Sequence, residues 1–199
     1  KLFKMMLSNN MKPSFFIMCH ILEAFCKGKQ PEKAYEFMIN EFKKFDFTPD
    51  VYCYNILINS YSKNKNTKMP LKLFESLVES NLKPDSHTFN SILQGFVANG
   101  DSENALKYLE KMVLEYEIPA NTHVLNSILQ AHCNNNDADK AEQFFNNYKS
   151  WGVEPDIVSY NILLNSFGRV NLEECKIFFF WVFFLLKALQ ISDSRAARC

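Results

Sequence analysis

Glycine is scarce in this chain, at five of 199 residues, and proline is limited to seven. So few turn formers exclude an all-β protein, whose many tight turns consume both residues. Neither GxGxxG nor GxxxxGK[ST] is present, which excludes the glycine loops that cradle phosphates in nucleotide-binding α/β enzymes. There is no excess charge either: 22 Lys and Arg stand against 22 Asp and Glu, so the chain does not hold a polyanion by bulk electrostatics alone. The six cysteines contain no CxxC pair, and His20, His87, His123 and His132 supply no zinc spacing with them. They read as reduced, mostly buried thiols of an intracellular protein, with no metal or other cofactor expected. The one long apolar run, Ile177 to Leu186, has ten residues, half of what a helix needs to span a bilayer. Residues 176–199 are therefore expected to be a hydrophobic tail, and no membrane association is expected. Residue 1 is Lys, so any targeting segment is expected upstream.

What is present is a repeat. Pro13, Pro49, Pro84, Pro119 and Pro155 are separated by 36, 35, 35 and 36 residues. Six or seven residues after each comes the same phrase: Cys19-His20-Ile21-Leu22, Asn55-Ile56-Leu57-Ile58, Asn90-Ser91-Ile92-Leu93, Asn126-Ser127-Ile128-Leu129 and Asn161-Ile162-Leu163-Leu164. A second apolar block follows about 18 residues later, as in Leu71-Lys72-Leu73-Phe74 and Leu106-Lys107-Tyr108-Leu109. Each copy reads as two helices. Phe89, Ile92, Leu93 and Phe96 fall at i, i+3, i+4 and i+7, one helical stripe. Asn99-Gly100-Asp101-Ser102 then supplies a stop and a new cap, and Ala105, Leu106, Leu109 and Met112 make the second stripe. Neither helix can bury its stripe alone, so the copies must stack as an α-solenoid. Pro70 stands where other repeats place Ala34, Ala105 or Ala141, and is expected to delay its helix by about a turn.

The period and wording resemble the pentatricopeptide repeat (PPR) family, P-type, on Pro49-Asp50-Val51-Tyr52-Cys53-Tyr54-Asn55-Ile56-Leu57-Ile58, Pro84-Asp85 with Thr88-Phe89-Asn90-Ser91-Ile92-Leu93, and Pro155-Asp156-Ile157-Val158-Ser159-Tyr160-Asn161. The tetratricopeptide alternative has a 34-residue period and a Trp…Leu-Gly…Tyr phrase that is missing here. The resemblance implies an all-α, right-handed superhelix over residues 1–175. Complete repeats are expected at 15–50, 51–85, 86–121 and 122–156, with partial repeats at 1–14 and 157–175.

Asparagine is a poor helix-interior residue because its amide competes for backbone hydrogen bonds. Yet Asn55, Asn90, Asn126 and Asn161 recur at one register inside the first helices, so something other than helix stability favours a carboxamide there. Its donors and acceptor suit the edge of an unstacked base; the competing reading is a structural bond to the neighbouring repeat. Asp50, Asp85, Asp156 and Asn121 stand just before first helices, where capping accounts for them as well as ligand contact does.

In the family, the fifth and the last residue of a repeat together read one RNA base. Carried over, the pairs are Cys19/Asp50, Asn55/Asp85, Asn90/Asn121 and Asn126/Asp156, with Asn161 lacking a legible partner. The family's code then gives 5′-N-U-(C/U)-U-3′, with Cys19 leaving its base undefined. The second residue of each repeat, Phe16, Tyr52, His87, His123 and Val158, corresponds to the family's wedge between bases, though inter-repeat packing explains the aromatic members equally. The first helices carry one acid, Glu23, and three bases, Lys27, Lys63 and Arg169, at the family's phosphate-contacting place; a solvated helix end is the simpler account. The resemblance implies a single-stranded RNA-binding protein without catalysis. Its expected place is organellar RNA metabolism, mitochondrial or plastid, with RNA-processing or ribosomal proteins as further partners and no DNA. The competing class is an α-solenoid adaptor that binds proteins. No HxE…PCxxC deaminase signature is present.

Overall fold

The computed structural model describes residues 2–135 and 137–170; the hydrophobic tail, Cys175 and Cys199 lie outside them. Among the described residues all regular structure is helical. A short α1 (Leu2–Ser8) precedes four hairpins: α2 (Phe15–Lys27) with α3 (Pro31–Lys44), α4 (Val51–Lys63) with α5 (Lys68–Glu79), α6 (Ser86–Ala98) with α7 (Ser102–Leu114), and α8 (Thr122–Asn134) with α9 (Ala138–Asn146). α9 continues into a 3₁₀ turn, Tyr148–Trp151, before α10 (Ile157–Val170). The hairpins belong to two compact bodies, Lys1–Ile118 and Pro119–Cys199.

In the N-terminal body α2, α4 and α6 pack side by side, and each second helix lies against its own first helix and, for α3 and α5, the next one. In the C-terminal body α8 and α10 pack together with α9 against both. This is the all-α solenoid arrangement. Among the described residues no helix is long and apolar enough to cross a membrane.

The first helices start where the sequence predicts because a side chain caps each one. Ser14, Asp50, Asp85 and Asn121 accept from the backbone N–H three residues on, satisfying a donor that the helix cannot. Asp101 and Asp137 do the same for α7 and α9. Phe89, Ile92, Leu93 and Phe96 are all buried, as their spacing predicts, and Phe89 packs on Phe74 and Tyr116. A second aromatic cluster joins Phe15, Phe42 and Phe47.

The chain needs few glycines because other residues take the left-handed place after its helices. Gly100 (φ 72°) holds it after α6, but Lys29 (φ 55°), Lys65 (φ 58°), Asp46 (φ 58°) and Asn81 (φ 57°) hold it elsewhere. Each non-glycine there costs roughly 1–2 kcal/mol. In return the terminal carbonyls are satisfied, as by Gln30 N to Phe25 O and Asn66 N to Tyr61 O. Gly95 has a different role. A Cβ there would come within 3.0 Å of Ser62 Cβ, so glycine permits the close approach of α4 and α6.

Pro70 corrects an expectation. Its helix starts at Lys68, only one place later in the repeat than α3, α7 and α9 start in theirs. Proline is the third residue of α5, where its missing N–H would be an orphan in any case. Asn66 Oδ1 takes the N–H groups of Lys68 and Met69, each at 3.1 Å.

Candidate functional site

Two of the predicted reader pairs form the same constellation. On α4, Asn55 Nδ2 donates to Asp85 Oδ1 at 3.0 Å, and Asn55 Oδ1 accepts from Thr88 Oγ1 at 2.6 Å. On α8, Asn126 Nδ2 donates to Asp156 Oδ1 at 3.1 Å, and Asn126 Oδ1 accepts from Ser159 Oγ at 2.6 Å. In each copy the aspartate is also the helix cap, taking the N–H of Thr88 or Ser159 at 2.8 Å. The structural reading of the asparagines and the capping reading of the aspartates are thus both realised. They do not use up the groups. Each asparagine keeps a second N–H, and the bonds that hold each pair go to Oδ1 of the aspartate, leaving Oδ2 outside them.

The carboxylates are held ionised. At Asp85 burial opposes the charge, but the Thr88 N–H, the Asn55 amide, the Thr88 hydroxyl and nearby His87 outweigh it and hold the carboxyl below the ordinary aspartate value. At Asp156 the Ser159 N–H leads, joined by Asn126 and the Ser159 hydroxyl, against a burial penalty. Both folded values lie below the unfolded value of about 3.9. The stabilisation is therefore fully present above that value and lost as pH falls through the folded values. Melting temperature is expected to fall on acidification between roughly pH 5 and 2. Asp85→Asn, which still caps α6, is expected to flatten that slope in circular-dichroism melts; an unchanged slope would remove Asp85 from the linkage.

The other predicted readers differ. Cys19 is buried, with its Sγ 3.6 Å from Cys53 Sγ on α4. Asp50 is half-buried and accepts from Cys53 N at 3.0 Å. Burial first pushes both thiols up, so they remain protonated and weakly polar. Asn90 is half-buried on α6, Asn121 is exposed and caps α8, and Asn161 is exposed on α10.

All five predicted stacking residues, Phe16, Tyr52, His87, His123 and Val158, are exposed. In the N-terminal body the predicted residues converge: an open groove of about 1110 Å³ is lined by Lys27, Asp50, Tyr52, Asn55, Lys63, Asp85 and His87, together with Glu23, Lys29 and Asn59. Lys27 and Lys63 are exposed, while the side chain of Arg169 lies outside the described residues.

Sequence reasoning passed over several participants. Glu23 accepts from the Tyr52 hydroxyl and from Lys27 Nζ at 3.2 Å. The Tyr52 and Lys27 bonds hold its carboxyl low, and the phenol of Tyr52 is raised in turn. The i,i+4 spacing of Glu23 and Lys27 was a legible signal; the link to Tyr52, 29 residues away, had none. Thr88 and Ser159 complete capping boxes with Asp85 and Asp156, and their hydroxyls also reach back to the preceding repeat's asparagine. Tyr148 OH, donating to Asn126 Oδ1 at 3.0 Å, was not foreseen. Among the described residues no three His, Cys, Asp or Glu side chains come together to hold a metal.

Comparison with known proteins gives one consistent result. The sequence model of the PPR repeat family matches residues 13–63, 49–97 and 120–169, and that of the single PPR repeat matches 87–115. A pentatricopeptide repeat-containing protein of Arabidopsis thaliana is 24% identical over 144 residues, 71% of this chain and 25% of its own length. A mitochondrial one from the same plant is 30% identical over 82 residues, 41% of this chain and 13% of its own length. A chloroplastic one is 30% identical over 123 residues, 60% of this chain and 16% of its own length. The chain thus spans a quarter or less of the length of these relatives. The crystal structure of maize PPR10 superposes with a TM-score of 0.82 at 20% identity, over 96% of this chain and 27% of that one. Its complex with an 18-nucleotide psaJ RNA element gives 0.70 at 22% identity, over 88% and 26%.

Proposed function

Because the chain belongs to the pentatricopeptide repeat family, we propose that it binds single-stranded RNA in an organelle and reads pyrimidines with its Asn–Asp pairs. The observation that carries this reading is the recurrence of one geometry at two places 71 residues apart: Asn55 with Asp85, and Asn126 with Asp156. Each offers a carboxamide N–H beside an ionised carboxylate oxygen. A uracil edge presents a carbonyl acceptor beside the N3–H donor, which is the complement. Tyr52, its hydroxyl tied to Glu23, presents a ring that is 51% exposed beside the first pair, a surface on which a base stacks. The groove pairs Lys27, Lys29 and Lys63 with Glu23, Asp50 and Asp85. Preference therefore comes from base edges rather than bulk charge, and a shallow salt dependence follows.

RNA binding is noncatalytic in this reading: the repeats supply the recognition surface and no group transfer is assigned to them. Titrating short single-stranded RNAs at fixed salt tests it. A UCU-centred pyrimidine tract is expected to bind more tightly than a purine tract of equal length; indifference to sequence would sink the reading. Changing Asn90 to Thr together with Asn121 to Asp is expected to turn that repeat's preference towards G. Aspartate at 121 still caps α8, so the change is one of reading and not of folding.

A further inference from the structure

A carboxamide is nearly symmetrical in shape but not in chemistry: one end donates and the other accepts. Rotating it by half a turn exchanges what a base meets. Helix geometry does not decide between the two orientations, so some neighbour must. At Asn55 the neighbour is Thr88. Its Oγ1 accepts the backbone N–H of Asp85 at 3.1 Å and lies 2.6 Å from Asn55 Oδ1, against 2.9 Å from Asp85 Oδ1. With its lone pair engaged by Asp85 N, the single hydroxyl proton goes to the shorter contact. Asn55 Oδ1 is thereby held on the Thr88 side, and the amide end that keeps a free N–H is fixed opposite it. The C-terminal body repeats this arrangement: Ser159 Oγ accepts from Asp156 N at 3.1 Å and lies 2.6 Å from Asn126 Oδ1 and 2.9 Å from Asp156 Oδ1.

We infer that the residue carrying a hydroxyl at the third place of a repeat is a specificity-determining positioning residue: it fixes which way the preceding repeat's asparagine amide faces and so which base that asparagine reads. The inference rests on the RNA-reading proposal. It assigns a role to Thr88 and Ser159 that contact with the base would not reveal, since neither needs to touch RNA. By sequence register the corresponding residues are Cys53 after Cys19 and Val124 after Asn90. A thiol is a weak donor, so Cys53 offers the residue at 19 no comparable hold.

The test uses the 199-residue chain and four RNAs that differ only at the nucleotide facing Asn55 and Asp85. Thr88→Val is expected to reduce discrimination for uracil over cytosine and the purines by roughly three- to tenfold, the size of one lost hydrogen bond. Thr88→Ser is expected to restore it. Ser159→Ala is expected to have a smaller effect at its own nucleotide, because Tyr148 OH also occupies Asn126 Oδ1. If Thr88→Val weakens all four RNAs equally, the hydroxyl is structural only and the inference is overturned. If the wild-type chain itself shows no preference among the four, the reading of bases fails and takes the inference with it. Should Thr88→Val not fold, the transplant decides: Cys19→Asn with Cys53→Thr is expected to create a uracil preference that Cys19→Asn alone does not. Equal behaviour of those two variants would overturn the inference as well.

Discussion

Replacing Phe89 by alanine is expected to lower the unfolding free energy of the N-terminal body by about 3–5 kcal/mol, the usual range for deleting a fully buried aromatic side chain. Phe89 is 0% exposed on α6. Its ring lies 5.4 Å from that of Phe74 on α5 and 5.2 Å from that of Tyr116, which follows α7. One side chain therefore ties the second helix of one repeat to both ends of the next. Alanine leaves a cavity that these rings cannot collapse into without moving two helices. Because each repeat is stable only against its neighbours, the loss is expected to lower the cooperativity of the whole body. Urea titration followed by circular dichroism checks this, with Tyr52→Ala as the exposed aromatic control. A loss below about 1 kcal/mol, the size of a typical point substitution, would show that the cluster is not the hub its geometry describes.

Tyr148→Ala is expected to cost the C-terminal body a comparable amount, about 3–5 kcal/mol. The residue is fully buried in the 3₁₀ turn after α9, against Phe144 and Phe145, and its hydroxyl donates to Asn126 Oδ1. Burial pushes its phenol well up and the charge of Asp156 adds to this, so it remains a donor throughout the neutral range. Tyr148→Phe separates the two contributions. It keeps the ring and removes one hydrogen bond, for an expected loss of about 0.5–1.5 kcal/mol. Thermal and urea unfolding of the two variants measure the difference; an equal loss in both would mean that the hydroxyl, not the ring, dominates.

The starts of the first helices were legible because their causes are local. A proline, a capping side chain and a 3.6-residue apolar period all lie within one turn of the residues they control. Asn55 and Asn126 stood out for the opposite reason: each violates a local preference, and the violation recurs. What could not be read was whatever depends on two residues about 30 apart in sequence. Cys19 was a candidate reader, yet it faces Cys53 in the interior. Thr88 and Ser159 carry no local sign of the bonds that their hydroxyls make to Asn55 and Asn126. The link from Tyr52 to Glu23 and that from Tyr148 to Asn126 obey no period. Pro70 misled only in extent: a start one residue later, at Lys68, already places it in the first turn, which tolerates proline.

In the proposed reading, the last residue of a repeat does two things at once: it starts a helix and completes a reader. Asp50, Asp85 and Asn121 all begin their helices by accepting a backbone N–H, and Asp156 accepts from Ser159 in the same way. Side chains that perform this task well are few, chiefly aspartate, asparagine, serine and threonine. Helix-start chemistry therefore sets the alphabet from which one letter of each two-letter word is drawn. A repeat can change its word cheaply within that alphabet, and any spelling outside it loosens the helix that carries the next word.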